Sequence, residues 1–161
     1  MNKDRLSGQG EVGDWQSLCR QAASLVGGET DAVANAANLS ALLYASLPDV
    51  NWVGFYFLRG NELVVGPFQG QPACVRIPLG KGVCGTAAAR RAPVRVSDVH
   101  AFAGHIACDP ASRSELVVPL LTQGELLGVL DIDSPSTGRF GPEDEAGAQA
   151  LAEIYCASLS A

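Results

Sequence analysis

Residues 114–133 read SELVVPLLTQGELLGVLDID, and this stretch decides the predicted fold. Two apolar segments, 115–121 and 125–133, lie on either side of Thr122-Gln123-Gly124, a polar triplet that ends in glycine. Such a pattern is typical of two strands joined by a tight turn. We therefore predict an antiparallel hairpin over these residues.

The second strand of this hairpin carries a row of carboxylates. Asp131 and Asp133 are two residues apart, so they share one face of the strand. Leu130 and Ile132 share the other face, which suits a core. Glu115 begins the neighbouring strand and can join the two aspartates. Either these acids form a solvated face, or they share a concave surface where they raise one another's pKa and bind an ammonium group or donate a proton.

The rest of the chain alternates between helical and strand periodicity. Residues 51–58 and 62–67 form a second predicted hairpin, and shorter strands are predicted at 74–78 and 94–96. This order predicts the α+β class, with one antiparallel sheet and helices packed against it. The predicted helices begin after Asp14, after Thr30 or Asp31, near Val83 and at Gly141-Pro142.

An aromatic pair lies on one face of the strand at 51–58. Trp52 and Tyr56 point away from Val53 and Phe55, and Gly54 lies between them. Because glycine has no side chain, we expect a hollow between two rings that can hold a methyl group or a cation. The alternative is ordinary packing of the sheet beneath a helix.

The composition indicates one compact domain. The chain has 161 residues, of which 47% are hydrophobic and 17% charged. The net charge of −6 argues against a nucleic-acid groove, which needs a basic stripe. Neither a secretory signal nor an apolar run of bilayer-spanning length is recognisable, so a cytoplasmic protein is expected. We predict a flexible lead-in over 1–13 and one domain over 14–161.

Two of the five cysteines occupy positions suited to redox chemistry. Cys108 lies in a long predicted loop, from Asp98 to Pro110, that also contains His105, and loops of this kind often carry function. It is either a redox nucleophile or a small residue buried beneath the loop. Cys84 lies at a predicted helix start, where the helix dipole favours a thiolate.

The other cysteines have weaker signals. Cys74 precedes a short strand and is either a second resolving thiol or an edge residue. Cys19 and Cys156 lie in predicted helices and are interpreted as structural.

Zinc binding is the alternative use of these thiols. Cys74, Cys84, His105 and Cys108 are suitable ligand types, but no Cys-x-x-Cys pair occurs in the sequence. This spacing disfavours a structural zinc site, and we predict no metal.

Five motifs occur in one order along the chain and give it a specific resemblance. The motifs are NWVGFY from Asn51, GKGVCG from Gly80, HIACD from His105, SELVVP from Ser114 and GVLDIDS from Gly128. Together they resemble the free methionine-(R)-sulfoxide reductases, single-domain enzymes with a GAF fold, over about residues 14–160.

The resemblance implies a six-stranded antiparallel sheet with helices on both faces, and a homodimer. It implies that Cys108 is the nucleophile, Cys84 the resolving thiol and Cys74 an auxiliary thiol. The substrate pocket would be lined by Trp52, Tyr56, Glu115, Asp131 and Asp133.

A mechanism follows from these implied roles. The Cys108 thiolate would attack the sulfoxide sulfur while Asp133 or Glu115 protonates the oxygen. Asp131 would hold the free ammonium group. Cys84 would convert the resulting sulfenic acid to a disulfide, which a thioredoxin-like dithiol reduces without any cofactor.

Two other classes of function compete with this reading. A GAF module that senses a small molecule without turnover would share the fold. A structural zinc domain would use the cysteines as ligands.

Overall fold

The computed structural model of the chain describes residues 14–104 and 110–160. His105 and Cys108 of the sequence prediction lie outside these residues. A six-stranded sheet in the order β3-β2-β1-β6-β5-β4 forms the centre, and each adjacent pair of strands is antiparallel. The predicted α+β class and the six-stranded sheet are confirmed. The strands are β1 (Trp52–Arg59), β2 (Glu62–Gly70), β3 (Arg76–Pro78), β4 (Val94–Val96), β5 (Ser114–Thr122) and β6 (Glu125–Ser134).

In the described part of the chain, four α-helices cover the two faces of the sheet unequally. Three of them enclose the larger core on one face, and the short third helix packs on the other face with a smaller core. The larger core contains Phe55 and Leu130, whereas the smaller core contains Tyr56 and Val129. The helices are α1 (Trp15–Val26), α2 (Ala32–Ser46), α3 (Gly82–Arg90) and α4 (Pro142–Ser158).

The helix starts follow the local sequence signals. Asp14 Oδ1 accepts a hydrogen bond from Ser17 N at 3.1 Å, and Asp31 Oδ1 accepts one from Ala34 N at 2.8 Å. Asp31, rather than Thr30, therefore caps α2. These caps satisfy backbone donors that the first turn of a helix leaves without a partner.

Strand β2 is longer than its predicted range of 62–67. Phe68 pairs with Gly54, and the register shifts between Gly54 and Tyr56. The shift forms a bulge around Pro67, which lacks an N–H and is tolerated at such a position. The predicted end of this strand at residue 67 is therefore wrong, because the strand resumes after the bulge and continues to Gly70.

The segment after β4 also contains more structure than predicted. Val99–Ala101 forms a short 3-10 helix inside the expected loop, and Asp98 Oδ1 accepts a hydrogen bond from His100 N at 3.0 Å. Within 14–104 and 110–160, no helix has the length and apolar character needed to cross a membrane.

Asp144 joins three parts of the fold through buried polar contacts. Its Oδ1 accepts from Trp15 Nε1 at 3.0 Å, and its Oδ2 accepts from Gly141 N at 2.9 Å and from Arg139 Nη1 at 3.3 Å. Both members of the Arg139–Asp144 ion pair are buried. The carboxylate therefore ties α1 to α4 and neutralises a buried guanidinium.

We predict that Asp144→Ala lowers the free energy of unfolding by about 3–5 kcal/mol, because it leaves the Arg139 charge buried without its partner. The matched control is Glu145→Ala, which removes the next acid of the same helical turn. Glu145 pairs with Arg95 at 3.2 Å near the surface, so the loss should stay below about 1 kcal/mol. Urea unfolding measures both, and equal losses would contradict this account.

Candidate active site

Three adjacent strands place acidic and aromatic side chains on the face beneath α3. Asp133 of β6 lies opposite Trp52 of β1 on one side and opposite Glu115 of β5 on the other. Asp131 lies opposite Gly54. Because partners that face each other across antiparallel strands project to the same side, the predicted grouping of these acids with the aromatic pair is present.

Helix α3 brings a thiol onto this acidic face. Cys84 is the third residue of the helix, and its Sγ donates a hydrogen bond to Glu115 Oε2 at 3.8 Å. A Cβ atom at Gly85 would lie 2.5 Å from Pro78 O, so only glycine permits the helix to approach β3 this closely. The sequence prediction of a cysteine at a helix start is confirmed.

Cys84, Glu115 and Asp131 form a compact group of buried side chains with atoms that can ligate a metal. One ligand atom from each side chain lies within 4.8 Å of the others, so these three residues could hold a metal ion. Among the residues that the structure describes, Asp131 Oδ1 has no hydrogen-bond partner. This group therefore has the capacity to accept hydrogen bonds from a ligand.

Burial and the neighbouring carboxyls favour the protonated forms of Asp131 and Tyr56. Burial, followed by the negative charges of Asp133 and Glu115, raises the pKa of Asp131 well above its usual range. Burial also raises the pKa of the Tyr56 hydroxyl, with further contributions from Cys84, Asp131, Asp133 and Glu115. A cation that enters the cluster would favour the ionised carboxylates.

The expected effect of the helix dipole on Cys84 is wrong. Burial raises the pKa of the Cys84 thiol, and the charges of Asp131, Glu115 and Asp133 raise it further. The dipole of a helix start favours a thiolate only modestly, whereas burial beside several carboxylates opposes it strongly. Cys84 is therefore a neutral thiol in the described site.

Trp52 and Tyr56 form an aromatic wall together with Phe68. The Trp52 ring stacks on Tyr56 at 5.8 Å between centroids and on Phe68 at 5.1 Å. Trp52 Nε1 donates to Gln71 O at 3.1 Å, and Tyr56 Oη donates to Cys74 O at 3.3 Å. These bonds fix both rings and connect the wall to the segment that carries Cys74.

The predicted hollow at Gly54 is filled. A Cβ atom there would meet the Phe68 side chain and would lie 2.7 Å from Trp52 Cη2. Gly54 therefore lets the indole lie flat over the strand and does not create a cavity between two rings. Sequence reasoning missed Phe68, because the bulge in β2 interrupts the alternation that would have assigned its face.

The described cysteines differ in their bonding. Cys74 is disulfide-bonded, whereas Cys19, Cys84 and Cys156 are free thiols. Cys19 Sγ contacts Gly147 O at 3.8 Å, and Cys156 is buried in the larger core. These contacts agree with the structural roles predicted for the two helical cysteines.

Comparisons with known proteins agree with this geometry. The model of the GAF domain family matches residues 15–159. The free methionine-R-sulfoxide reductase of Escherichia coli is 56% identical over 137 residues, which cover 85% of this chain and 83% of that protein.

Two solved structures are also similar over most of the chain. The reduced form of fRMsr from Staphylococcus aureus is 51% identical with a TM-score of 0.89, and the match covers 92% of this chain and 96% of that one. The free methionine-R-sulfoxide reductase of Neisseria meningitidis, solved in complex with its substrate, is 45% identical with a TM-score of 0.87. That match covers 90% of this chain and 87% of the other.

We predict that Asp131→Asn raises the melting temperature at neutral pH in metal-free buffer. A raised pKa in the folded state means that ionisation of Asp131 opposes folding. That cost is absent below pH 3.8, which is the usual pKa of aspartate, and it increases as the pH rises toward the raised pKa of the folded state. The increase in melting temperature should therefore shrink as the pH falls toward 4. Each kcal/mol of unfolding free energy corresponds to about 2–4 °C.

Differential scanning calorimetry between roughly pH 4 and 8 measures both melting temperatures over the range where ionisation of Asp131 should oppose folding. The control is Glu125→Gln, which changes an exposed acid at the start of β6 and should leave the melting temperature nearly constant. If the increase in melting temperature for Asp131→Asn became larger on acidification, the raised pKa of Asp131 in the folded state would be contradicted.

Proposed function

The chain belongs to the GAF-domain family and to its free methionine-R-sulfoxide reductases, and we propose that it reduces free L-methionine-(R)-S-oxide to L-methionine. The observation that carries this proposal is the buried group of carboxyls beneath α3, next to the aromatic wall. Such a site offers a cationic amino acid both a charge partner and an apolar surface.

The acids supply a reason for preference toward the free amino acid. In the ranges 14–104 and 110–160, none of the ion pairs involves Glu115 or Asp131. A substrate ammonium group would supply the missing cation and hydrogen-bond donors, including one for Asp131 Oδ1. A peptide-linked nitrogen carries no such charge, so a methionine sulfoxide residue within a chain should bind poorly.

The aromatic wall is suited to the other end of the substrate. Trp52 and Tyr56 are almost completely buried and fixed by hydrogen bonds to backbone carbonyls. We assign the S-methyl group to this wall, because a fixed apolar surface can orient the sulfur without reorganisation. Opposite configurations at sulfur would exchange the methyl group and the oxygen, which gives a basis for stereoselectivity.

Cys108 is the proposed nucleophile. Its thiolate attacks the sulfoxide sulfur, and Asp133 or Glu115 protonates the oxygen. The oxygen is transferred to the cysteine, so methionine leaves and Cys108 becomes a sulfenic acid.

Cys74 is the favoured resolving thiol in this proposal. It is disulfide-bonded in the structure, while Cys84, assigned to this role from the resemblance, is a free neutral thiol. Condensation of the Cys108 sulfenic acid with the Cys74 thiol would release water and form a disulfide. Cys84 would remain within the acidic cluster as a hydrogen-bond donor to Glu115.

An external reductant completes the proposed catalytic cycle. We propose that a thioredoxin-like dithiol reduces the disulfide by exchange and becomes oxidised itself, so that no organic cofactor or metal takes part. We also propose a homodimer, with the GAF domain over residues 14–161; the lead-in predicted over residues 1–13 lies outside the described residues.

Turnover should depend on both the configuration and the free amino group of the substrate. In an NADPH-coupled thioredoxin assay we predict activity with free Met-(R)-sulfoxide, and at least roughly 100-fold lower kcat/KM with the free (S) form and with a peptide sulfoxide. Equal turnover of the free and peptide forms would contradict the proposed ammonium recognition. Absence of turnover with a ligand-induced rise in melting temperature would favour a sensing module.

The cysteine variants separate attack from resolution. Cys108→Ser should abolish both single and multiple turnover, because it removes the nucleophile. Cys74→Ser should retain one turnover and lose recycling by thioredoxin, whereas Cys84→Ser should still recycle.

The control is Cys19→Ser, which changes a half-buried structural thiol and should retain full cycling. Rapid-quench product analysis and the coupled assay measure the two phases. If Cys84→Ser lost recycling while Cys74→Ser kept it, the resolving role would belong to Cys84.

A further inference from the structure

The cluster beneath α3 combines one thiol and two carboxyls in a closely packed arrangement. Cys84, Glu115 and Asp131 are 4%, 8% and 4% exposed. Their ligand atoms lie within 4.8 Å of one another, and Cys84 Sγ is 3.8 Å from Glu115 Oε2. These donors come from α3, β5 and β6, so the fold itself sets their spacing.

This cluster has no cationic side chain as a partner in the described part of the chain. The ion pairs found there join other residues, and Asp131 Oδ1 accepts no hydrogen bond. Buried carboxylates without a cation are costly, so the cluster must hold protons or bind a positively charged ligand. One oxygen of the buried Asp131 side chain therefore remains available to a ligand.

The donor types discriminate among cations. Magnesium and calcium prefer sites made only of oxygen, whereas a cysteine sulfur with two carboxylates suits zinc and its analogue cobalt. Zinc binds sulfur at about 2.3 Å and carboxylate oxygen at roughly 2.0–2.2 Å, so tetrahedral ligand atoms are separated by about 3.5 Å. The Sγ–Oε2 distance of 3.8 Å is already near this value, and the Asp131 ligand atom lies within 4.8 Å of both.

We propose that Cys84, Glu115 and Asp131 form a three-ligand binding site for Zn²⁺ that competes with the ammonium group of the substrate. On binding, the Cys84 thiol and any protonated carboxyl of the site release their protons to solvent, and the sulfur and carboxylate oxygens bond to the metal with no change in oxidation state. The fourth coordination position is left for water. This donor set differs from Cys74, Cys84, His105 and Cys108, which the sequence offered as a structural zinc site.

Cobalt titration of the reduced, full-length protein tests the site directly. Co²⁺ should bind with a stoichiometry of one and produce the near-ultraviolet charge-transfer band of a cobalt–thiolate bond. Zn²⁺ should displace it. Cys84→Ser should remove the band, and Glu115→Gln and Asp131→Asn should each weaken binding by roughly tenfold or more. The acid variants keep the test valid if Cys84→Ser does not fold.

The double variant Cys74→Ser/Cys108→Ser is the matched thiol control, and Glu145→Gln is the control for a distant acid. Both should retain the band. Loss of the band in the double variant with retention in Cys84→Ser would overturn the proposal, as would unchanged affinity in both acid variants.

The spectroscopic readout does not depend on turnover, so this inference can fail or succeed separately from the proposed reaction. Where turnover is present, Zn²⁺ should raise KM for the free sulfoxide without lowering kcat. Inhibition that only lowers kcat would contradict competition at the ammonium position.

Discussion

Burial of several carboxyl groups side by side is the constraint on which the candidate site depends. Glu115, Asp131 and Asp133 lie on neighbouring strands, and like charges at this spacing repel when all are ionised. The sheet holds them together because its opposite face, with residues such as Leu130 and Ile132, packs into the larger core. Burial of these apolar side chains stabilises the fold and offsets the electrostatic cost of the acidic face.

The face opposite the core was predictable because strand periodicity is simple. Two-residue alternation predicted that Trp52 and Tyr56 share one face of β1 and that Asp131 and Asp133 share one face of β6. Only the resemblance implied that the two pairs line one pocket, and the register of the strands places them on the same side of the sheet. Helix starts were also predictable where a single side chain caps the backbone, as at Asp31. These signals are local, so the sequence alone contains them.

The remaining features depend on contacts between distant segments. The bulge in β2 places Phe68 over Gly54 and fills the expected hollow. Burial raises the pKa of Cys84, and carboxyls on strands that lie far from α3 in sequence raise it further. The polar network of Asp144 likewise joins α1 to α4 across most of the chain. No periodicity or motif reports such contacts, because each requires the finished fold.

Binding of the free substrate and of its N-acetyl derivative tests the central claim most directly. Isothermal titration calorimetry with the Cys108→Ser variant removes the nucleophile and leaves Glu115, Asp131 and Asp133 in place. A charge-assisted hydrogen bond contributes about 1.5–3 kcal/mol, so acetylation of the amino group should weaken binding by roughly 10- to 100-fold. Equal affinities for the two compounds would contradict recognition of the ammonium group by the buried carboxyls.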